Sequence, residues 1–374
     1  MSSTKNQSVC QLTSAHPVDD ERILHRFARS AAELGYESTV VGPHDGAFSF
    51  PGVSFVACPH IRGKPAFWKR RMSPLFILSW ALRNRKDLYQ IHDPDMLLTG
   101  LALRLVGRRV IYDVHDDYQA SFETRLKKRP LLRPWIPTLW WFFEKVSSRF
   151  FSKITVADRH LAAKFHFCKP KLFGNFPRID FAPKPANPKS DTFNVLYVGG
   201  VTRQRGLAVA LEAIRKIARK DIQFHVVGSC PDRQLQQDLE SEPTVKLHGR
   251  VTWTDLPQFF SKSHVGLALY QPLPAFLYCP GENAVKIIEY MAFGIPVITS
   301  NFPGLSKFVD EHDIGLTVDP TDPDKVAECL ERLYQNPRER EAFAKKARAA
   351  FEFQFNWELQ VERLDSMYQE LTQP

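Results

Sequence analysis

The chain has 374 residues, a formal charge of +9 and an aromatic share of 12%. This length is enough for two domains of ordinary size, and the apolar share of 44% is typical of a folded protein. The basic excess favours an anionic partner, which could be nucleic acid, a membrane surface or a phosphorylated ligand. The six cysteines are scattered singly, which argues against a disulfide framework or a structural zinc site and indicates a reducing compartment.

The first ten residues, MSSTKNQSVC, are polar and lead into a strand, so the sequence predicts no signal peptide. No uncharged run is long enough to span a bilayer. We therefore expect a cytoplasmic protein that is either soluble or bound to a surface.

Short β-rich segments alternate with helical segments from residue 8 onward. QSVCQLTS predicts a strand, and ERILHRFARSAAELG predicts a helix that ends at the C-cap glycine Gly35. The alternation continues through ESTVVG, VSFVAC, DLYQIH, RRVIYDVH and KITVA. It predicts a parallel sheet with helices on both faces, and we assign residues 1–178 to this first Rossmann-like domain.

The segment FPRIDFAPKPANPKSDT is rich in proline and has no periodicity, which predicts a linker at residues 179–192. The alternation then restarts with NVLYVGG and continues through IQFHVVG, TVKLHG, VGLALY, PVITS and IGLTV, giving a second Rossmann-like domain at 193–355. Residues 356–374 form a closing helix. Ligands of open α/β sheets bind beyond the carboxyl ends of the strands, so we expect loops of both domains to meet at a cleft.

The stretch from Gly281 to Gly304, GENAVKIIEYMAFGIPVITSNFPG, places charged residues just ahead of a buried strand. On a helix that begins near Asn283, Lys286 and Glu289 share one face. Such charges either form a solvated Glu-Lys pair or point at a ligand.

This stretch resembles the nucleotide-sugar signature of family 4 glycosyltransferases, which have the GT-B fold. NVLYVGGVTRQRGL resembles that family's strand-loop-helix segment, which carries a basic residue before glycine. HPVDDERI, IHDPDML, VIYDVHDDY and FNWELQVERLDSMYQEL resemble one bacterial surface-polysaccharide branch. The resemblance covers nearly the whole chain. It implies two Rossmann-like domains facing across a cleft, with the closing helix returning to the first domain.

The resemblance also implies a function. A retaining enzyme would move a sugar from a UDP- or GDP-linked donor to a glycan or lipid-linked acceptor, as in surface polysaccharide biosynthesis. Neither a metal nor another cofactor is implied, because the acids of HDPD and HDD are explained by the strand-end blocks. The alternatives are a sugar-nucleotide epimerase or hydrolase of the same fold and a catalytically silent sugar-nucleotide-binding partner. A dehydrogenase is disfavoured, since neither first βα turn has GxGxxG.

The resemblance assigns the donor site to the second domain. Glu289 matches the acid that holds the ribose hydroxyls, and a carboxylate can accept two hydrogen bonds at once. Arg205 matches the cation that binds the donor phosphates, where fixed charge stabilises the leaving group. Lys286 is expected at the diphosphate or the sugar. The expected donor-binding residues are Gly199, Gly200, Arg203, Arg205, Arg250, Val251, Glu282, Asn283, Lys286 and Glu289.

The chain departs from the family pattern in two places that bear on the donor site. The family's first acid would fall at Gly281, and the nearest acid here is Glu282. The family's companion arginine is replaced by Gly200, which makes Arg203 a candidate substitute. A solvated helix-start side chain is the alternative interpretation of Arg205.

In the first domain, His115 matches the family's histidine near the reacting sugar. With Arg205 and Lys286 it is a candidate catalytic residue, acting by positioning and electrostatics, and a structural histidine is the alternative. The candidate acceptor or cleft residues are Arg22, His92, Asp93 and Asp116. Near Arg22, Asp19 or Asp20 could instead cap the helix.

Two segments of the first domain combine basic and aromatic residues. The basic residues are Lys69, Arg70, Arg71, Lys127, Lys128, Arg129 and Arg133, and the tryptophans include Trp80, Trp135, Trp140 and Trp141. This composition suits an anionic membrane surface, so the protein is expected to be peripheral on the inner face of the cell membrane. The alternative is that both segments pack in the core. Nucleic acid is not expected, since no binding motif accompanies the charge.

Overall fold

The computed structural model describes residues 6–44, 48–58, 66–126, 131, 134–186, 192–277 and 279–373, with the backbone alone at 66–71, 124, 125, 274 and 275. The chain divides into a first unit, Met1–Asn175 with Gln360–Pro374, and a second unit, Phe176–Leu359. Each unit contains one parallel sheet. This matches the doubly wound arrangement that the alternating sequence pattern predicts.

The strands of the first sheet are β1 Ser8–Leu12, β2 Glu37–Pro43, β3 Val53–Cys58, β4 Leu88–Ile91, β5 Arg109–Val114, β6 Lys153–Val156 and β7 Lys171–Leu172. Their order in space is β3-β2-β1-β4-β5-β6-β7, and all neighbours are parallel. The direction of strand addition therefore reverses between β1 and β4. In open α/β sheets such a reversal is the place where ligands bind.

The helices of the first unit are a π-helical segment Glu21–Ala28, α1 Arg29–Glu33, α2 Ala66–Arg83, α3 Leu97–Leu105, α4 Tyr118–Arg125, α5 Ile136–Ser148 and α6 Arg159–Lys164. Asp20 caps the π-helical segment by accepting hydrogen bonds from the amides of Arg22 and Ile23. The capping role foreseen for Asp19 or Asp20 thus belongs to Asp20. Among the described helices, none combines the length and the apolar character that a bilayer span requires.

The alternation of side chains along β1 separates the two faces of the first sheet. Cys10 and Leu12 join the cluster that packs against α2, α3 and α5. Gln11 points to the other face, where its Nε2 lies 3.4 Å from the hydroxyl of Tyr368. Because strand side chains alternate with a period of two, one strand serves an apolar core on one face and a polar network on the other.

The second sheet comprises β8 Phe193–Val198, β9 Ile222–Val227, β10 Val245–Gly249, β11 Val265–Ala268, β12 Val297–Ser300 and β13 Gly315–Val318. The spatial order is β10-β9-β8-β11-β12-β13, so the reversal falls between β8 and β11. The helices are α7 Leu207–Ile217, α8 Arg233–Glu240, α9 Pro257–Phe260, α10 Pro274–Leu277, α11 Val285–Ala292, α12 Pro303–His312, α13 Pro323–Gln335 and α14 Pro337–Gln354.

Part of the segment expected to be a linker packs into the second unit. Phe181 is 2% exposed and stacks on Trp253 with ring centroids 4.7 Å apart. The amide of Ala186 donates to the carbonyl of Phe293. An aromatic anchor within the proline-rich sequence therefore orders residues 179–186, and the expected residues 187–191 lie outside the described part.

The last helix, α15 Glu358–Thr372, packs on the first unit, as the resemblance implied. The hydroxyl of Tyr368 donates to Oε1 of Gln90 at 2.8 Å, and its ring meets that of Tyr36 at 5.6 Å. Tyr36 in turn donates to Asp365 of the same helix at 2.8 Å. The C-terminal segment is thereby fixed to β2 and β4 by buried polar contacts as well as by ring packing.

Truncation of Tyr368 should destabilise the first unit in two separable steps. Tyr368→Phe leaves Oε1 of Gln90 buried without its donor, which costs about 1–3 kcal/mol. Tyr368→Ala also empties a ring-sized space, for a cost of about 3–5 kcal/mol. Urea unfolding measures both changes, with Glu362→Ala on the exposed face of α15 as the control. Equal midpoints for Tyr368→Ala and Glu362→Ala would contradict this packing.

Candidate functional site

Each unit carries a polar centre at the point where its strand order reverses. In the second unit, β8 ends at Val198 and the chain turns through Gly199 and Gly200 into a 3-10 turn, Arg203–Arg205. Gly206 follows with φ +79°, and a Cβ there would lie 2.0 Å from the carbonyl oxygen of Leu269. Only glycine permits this close approach, which fixes the turn carrying Arg205 against the chain that follows β11.

Two cations converge on Gly199. A Cβ placed on this residue would lie 3.3 Å from Nη1 of Arg205 and 3.5 Å from Nζ of Lys286. Nζ of Lys286 also lies 4.7 Å and 5.1 Å from the ring centroids of Tyr197 and Tyr270. Within the described chain, neither cation has a carboxylate at ion-pair distance. The two cations therefore have no direct counter-ion among the described residues, although the carboxylate of Glu289 acts on Lys286 from a longer distance.

Burial is the largest influence on the charge of Lys286. The residue is 7% exposed. Burial, reinforced by repulsion from Arg205, lowers the pKa of Lys286 to about 7, and the carboxylate of Glu289 opposes this change. At neutral pH the amine thus lies close to its titration midpoint, and an anion bound beside it would favour the protonated form.

Three other donor-site candidates lie on α11 or in the turn just before it. Glu289 is 8% exposed and lies three residues after Lys286 in α11, so both are on the buried face. The helix begins at Val285, two residues later than expected, so Glu282 and Asn283 belong to the preceding 3-10 turn.

The structure does not bring every expected residue to the pair. Nε of Arg203 is 2.9 Å from Asp232, and this arginine is half-exposed, so it does not join Arg205 and Lys286 in this structure. The reason is that Asp232, the N-cap of α8, already attracts the guanidinium. Arg250 is exposed and Val251 packs partly against the core.

The two tyrosines were missed by the sequence analysis. Tyr197 lies inside the otherwise aliphatic strand NVLYVGG. An aromatic hydroxyl among aliphatic residues is a sequence signal that could have marked it as a site residue. Tyr270 follows VGLAL in the same way. Their rings cover Lys286 because β8 and β11 are neighbours in the sheet, which the linear sequence does not reveal.

The centre of the first unit is built around the fully buried carboxylate of Asp113 in β5. Nε and Nη2 of Arg22 each donate to it at 2.8 Å, and Oγ1 of Thr155 donates at 2.7 Å. Although burial by itself would raise the pKa of Asp113, the Arg22 guanidinium holds it well below its usual range. Arg22 is 4% exposed, so the expectation that it lines a cleft is wrong: it serves as the buried counter-ion of Asp113.

The residues that follow β4 and β5 surround this ion pair. The nitrogens of His92 lie 3.1 Å from Asp113 and 2.7 Å from Oε1 of Gln11, and burial lowers the pKa of His92. Nδ1 of His115 is 3.6 Å from Asp113 and is buried without a hydrogen bond among the described residues. Asp116 is exposed, and Asp93 is fully buried beside His16.

His92, Asp113 and His115 are close enough together for their donor atoms to meet one metal ion. Their present partners do not fit that use. The carboxylate of Asp113 is already neutralised by Arg22, and a divalent cation would lie beside this guanidinium. Both nitrogens of His92 are also engaged. The cluster is therefore an internal ion-pair network and a poor metal site.

Comparison with known proteins identifies the family of this chain. Residues 21–168 match the model of Glycosyltransferase Family 4, and residues 192–336 match that of Glycosyl transferases group 1. Together the two models cover most of the chain. The two matches show that the chain belongs to the family 4 group of glycosyltransferases, and its two parallel sheets are those of the GT-B fold.

The individual relatives are distant. The chain is 28% identical over 181 residues to the alpha-D-kanosaminyltransferase of Streptomyces kanamyceticus, covering 47% of this chain and 45% of that protein. It is 25% identical over 185 residues to the capsular polysaccharide biosynthesis glycosyltransferase CapM of Staphylococcus aureus, covering 48% and 46%. The matched region thus spans about half the length of these curated relatives.

Several solved structures share the fold over nearly the whole chain, and one of them contains a bound sugar nucleotide. This one is Alr3699/HepE of Anabaena in complex with UDP-glucose, with a TM-score of 0.69 and 16% identity. The alignment covers 98% of this chain and all of that one. At this identity the similarity establishes the fold.

The burial of Lys286 should make stability depend on pH. The folded pKa of about 7 lies below the unfolded value of 10.5, so between these values the unfolded chain binds the extra proton. Raising the pH across this range therefore favours the folded protein, by up to about 1.4 kcal/mol per pH unit. Relative to Lys286→Met, the wild type should gain unfolding free energy from pH 7 to pH 10.

Chemical unfolding at several pH values measures this difference. Lys307→Met is the matched control, because Lys307 is an exposed lysine of the same unit and should show a constant difference from wild type. A constant difference for Lys286→Met as well would show that the amine is charged in the folded protein throughout this range.

Proposed function

We propose that this protein is a retaining glycosyltransferase that takes a sugar from a UDP- or GDP-linked donor. Its acceptor is a glycan or lipid-linked precursor of a surface polysaccharide. The observation that carries the proposal is the pair of cations at Gly199, Arg205 and Lys286, at the point where the second sheet reverses its strand order. Such a pair without a carboxylate is suited to a ligand that brings two or more negative charges.

The diphosphate of a sugar nucleotide is such a ligand. When the bond between the sugar and the phosphate breaks, negative charge develops on the leaving oxygen. Arg205 and Lys286 would stabilise that charge, and the burial of Lys286 beside Tyr197 and Tyr270 strengthens its interaction because water is excluded. The anion would also raise the pKa of Lys286, so donor binding near pH 8 would take up a proton.

Two further side chains have proposed roles in donor recognition. Glu289 would accept hydrogen bonds from both ribose hydroxyls, as a carboxylate can. His115, whose Nδ1 faces the carboxylate of Asp113 at 3.6 Å, would position the reacting sugar with its other ring nitrogen. Retention of configuration rests on the family resemblance, and a uridine base is supported by the bound UDP-glucose of the Anabaena structure.

The proposed reaction needs no metal, since Arg205 and Lys286 would take the role of a divalent cation at the diphosphate. CapM supports a polysaccharide acceptor. An epimerase or hydrolase would use the same donor site, and a silent partner would bind the donor without turnover. Acceptor-dependent release of nucleoside diphosphate separates the proposed transfer from these alternatives.

The proposed membrane location is supported by one layer of helices. α2, α3 and α5 cover the same face of the first sheet and together contain six basic residues and one acid, Glu144, which is buried. On α5 and at its N-cap Trp135, the exposed apolar side chains Trp135, Leu139, Phe142 and Val146 form a stripe at helical spacing. An apolar stripe on a helix layer whose sequence is basic suits an anionic bilayer.

The remaining residues of this belt are less well placed. The side chains of Lys69, Arg70 and Arg71 lie outside the described residues, as do Lys127–Arg129 and Arg133. Trp140 and Trp141 pack against the core of the first unit, as does Trp80. The core interpretation thus holds for these tryptophans, while the stripe on α5 is exposed.

Donor binding is tested by thermal shift with UDP, GDP and their sugars, since a bound ligand stabilises the fold according to its affinity. Glu289→Gln should weaken donor binding roughly ten- to a hundredfold, because a charged hydrogen bond contributes about 1.5–3 kcal/mol. Glu311→Gln, an exposed acid of the same unit, is the control. Unchanged donor affinity in folded Glu289→Gln would remove this residue from the site.

Chelation should leave sugar transfer largely intact. EDTA removes divalent ions, while Arg205 and Lys286 remain to meet the leaving diphosphate. Turnover is measured as nucleoside diphosphate released, with and without EDTA. A complete loss that magnesium or manganese restores would contradict the metal-independent reaction.

Membrane binding is tested by sedimentation with anionic and neutral vesicles. Changing Lys69, Arg70, Arg71, Lys127, Lys128 and Arg129 to glutamine should abolish binding to anionic vesicles at physiological salt. Each basic residue contributes about 1 kcal/mol near such a surface, and salt screens the attraction. Phe142→Ser with Leu139→Ser should weaken binding with less effect on its salt dependence, because their contribution is burial.

The matched control changes six exposed lysines of the second unit. They are Lys220, Lys246, Lys307, Lys325, Lys345 and Lys346. This variant has the same net charge as the first-unit variant but should sediment like wild type. If both variants lose binding equally, the attraction is due to net charge and not to the helix layer.

A further inference from the structure

The amine of Lys286 lies in surroundings that make a lysine nucleophilic. A protonated amine has no free lone pair, and both burial and a neighbouring cation favour the neutral form. Lys286 is 7% exposed, and Arg205 repels its positive charge. With a pKa of about 7, most of this amine is neutral near pH 8, whereas less than about 1% of an exposed lysine is neutral there.

The amine borders a small space in front of Gly199. A Cβ placed on this glycine would lie 3.5 Å from Nζ of Lys286 and 3.3 Å from Nη1 of Arg205, and the hydroxyl oxygen of Tyr197 is 3.7 Å away. Among the described residues these are the three nearest atoms besides the adjoining backbone, so a heavy atom fits there. Gly199 has φ +126°, which residues with a side chain rarely adopt, and glycine therefore keeps the space open.

The charges around this space favour a negative group on the amine. Arg205 acts on Lys286 more strongly than the carboxylate of Glu289 does, so the combined effect of the two is that of a positive charge. Tyr197 and Tyr270 stay neutral, because burial raises the pKa of both hydroxyls. An acyl group on the amine would give a neutral amide, whereas a carboxyl group gives an anion that can pair with the guanidinium.

Carbon dioxide is the reagent that turns a neutral amine into such an anion. The lone pair of Nζ attacks the carbon atom and forms a C–N bond, while one C=O π bond opens and its electrons stay on oxygen. The nitrogen then loses one proton to solvent, which leaves a carbamate, N–CO₂⁻, without oxidation or reduction. Carbon dioxide is small and uncharged, so the burial of Lys286 beside two tyrosine rings does not exclude it.

We propose that Lys286 is a site of reversible carbamate formation with carbon dioxide, and that Arg205 stabilises the carbamate in the space in front of Gly199. A donor diphosphate would need the same guanidinium and would favour the protonated amine, whereas carbon dioxide reacts with the neutral one. Carbon dioxide and the donor would therefore compete, and each would lower the affinity for the other. This competition rests on the proposed function, but the modification itself does not.

The test is ¹³C NMR of the full chain near pH 8 with ¹³C-labelled bicarbonate, which supplies dissolved ¹³CO₂. A carbamate carbon gives a signal separate from those of bicarbonate and carbon dioxide. Lys286 should carry a carbamate about a hundredfold more often than an average exposed lysine, because its neutral fraction is larger by about that factor. An α-amine, with a pKa of about 8, gives a second signal that is expected in every variant and serves as the reference.

Three variants assign the carbamate signal. Lys286→Met should remove it, and Lys307→Met, at an exposed lysine of the same unit, should leave it unchanged. Arg205→Gln keeps the amine but should weaken the signal about tenfold or more, because the carbamate loses its charged hydrogen-bond donor. A signal of full strength in Lys286→Met or in Arg205→Gln would overturn the proposal.

Chemical trapping locates the carbamate without any variant. Triethyloxonium ion converts carbamates of the wild-type protein into stable ethyl esters, and mass spectrometry of the digested chain then identifies the modified lysines. The trapped group should be found on Lys286. Trapped groups on other lysines only would also overturn the proposal.

Binding of UDP, measured by thermal shift, separates failure of this inference from failure of the proposed function. UDP should bind the wild type in buffer free of carbon dioxide and should reduce the carbamate signal of Lys286 as its site fills. If UDP binds but Lys286 forms no carbamate, the modification is wrong and the donor site stands. If the carbamate forms but UDP does not bind, the proposed function fails and the modification stands. If both occur without affecting each other, the competition is wrong.

Discussion

A carboxylate that is removed from water needs an opposite charge and hydrogen bonds in its place. In the first unit, the groups that meet this need for Asp113 come from several different elements. The guanidinium of Arg22 meets both oxygens of Asp113, and Thr155 and His92 complete the set. These partners join the π-helical segment, β4, β5 and β6. Loss of one partner would leave a buried charge, which typically costs about 3–5 kcal/mol. The ion pair thereby fixes the strand ends at which His115 and Asp93 lie.

In the second unit, by contrast, two cations lie close together without a direct counter-ion. Arg205 and Lys286 are brought together at Gly199 with tyrosine rings and no carboxylate at ion-pair distance in the described chain. Their repulsion is reduced because the amine of Lys286 loses its proton easily. The first unit supplies its own counter-ion to Asp113, whereas the second unit leaves positive charge for a ligand to neutralise.

The basic excess of the chain is distributed unevenly over its surface. The helix layer of α2, α3 and α5 has one acid, Glu144, and burial raises its pKa to about 7. This acid accepts a hydrogen bond from Tyr112 inside the core, so it does not reduce the positive potential of the outer face. The same layer carries the apolar stripe of α5. A basic sequence and exposed apolar side chains thus belong to the same helix layer.

The sequence by itself determined the elements. Alternating patterns predicted every strand except β7, Lys171–Leu172, which is too short to show a period. They also placed Lys286 and Glu289 on one helix face, because three residues along a helix is a local relation. A helix start was missed by two residues, at Val285, where a 3-10 turn replaces the first helical turn.

Only the tertiary structure decided the pairing of charges. Arg22 and Asp113 lie 91 residues apart in sequence, and His16 and Asp93 lie 77 apart. Their meeting depends on the order of strands in the sheet, which brings the ends of β1, β4 and β5 side by side. Periodicity acts over about ten residues and carries no information on that order. Side-chain partners across the sheet therefore follow from the fold, whereas the elements that carry them follow from the sequence.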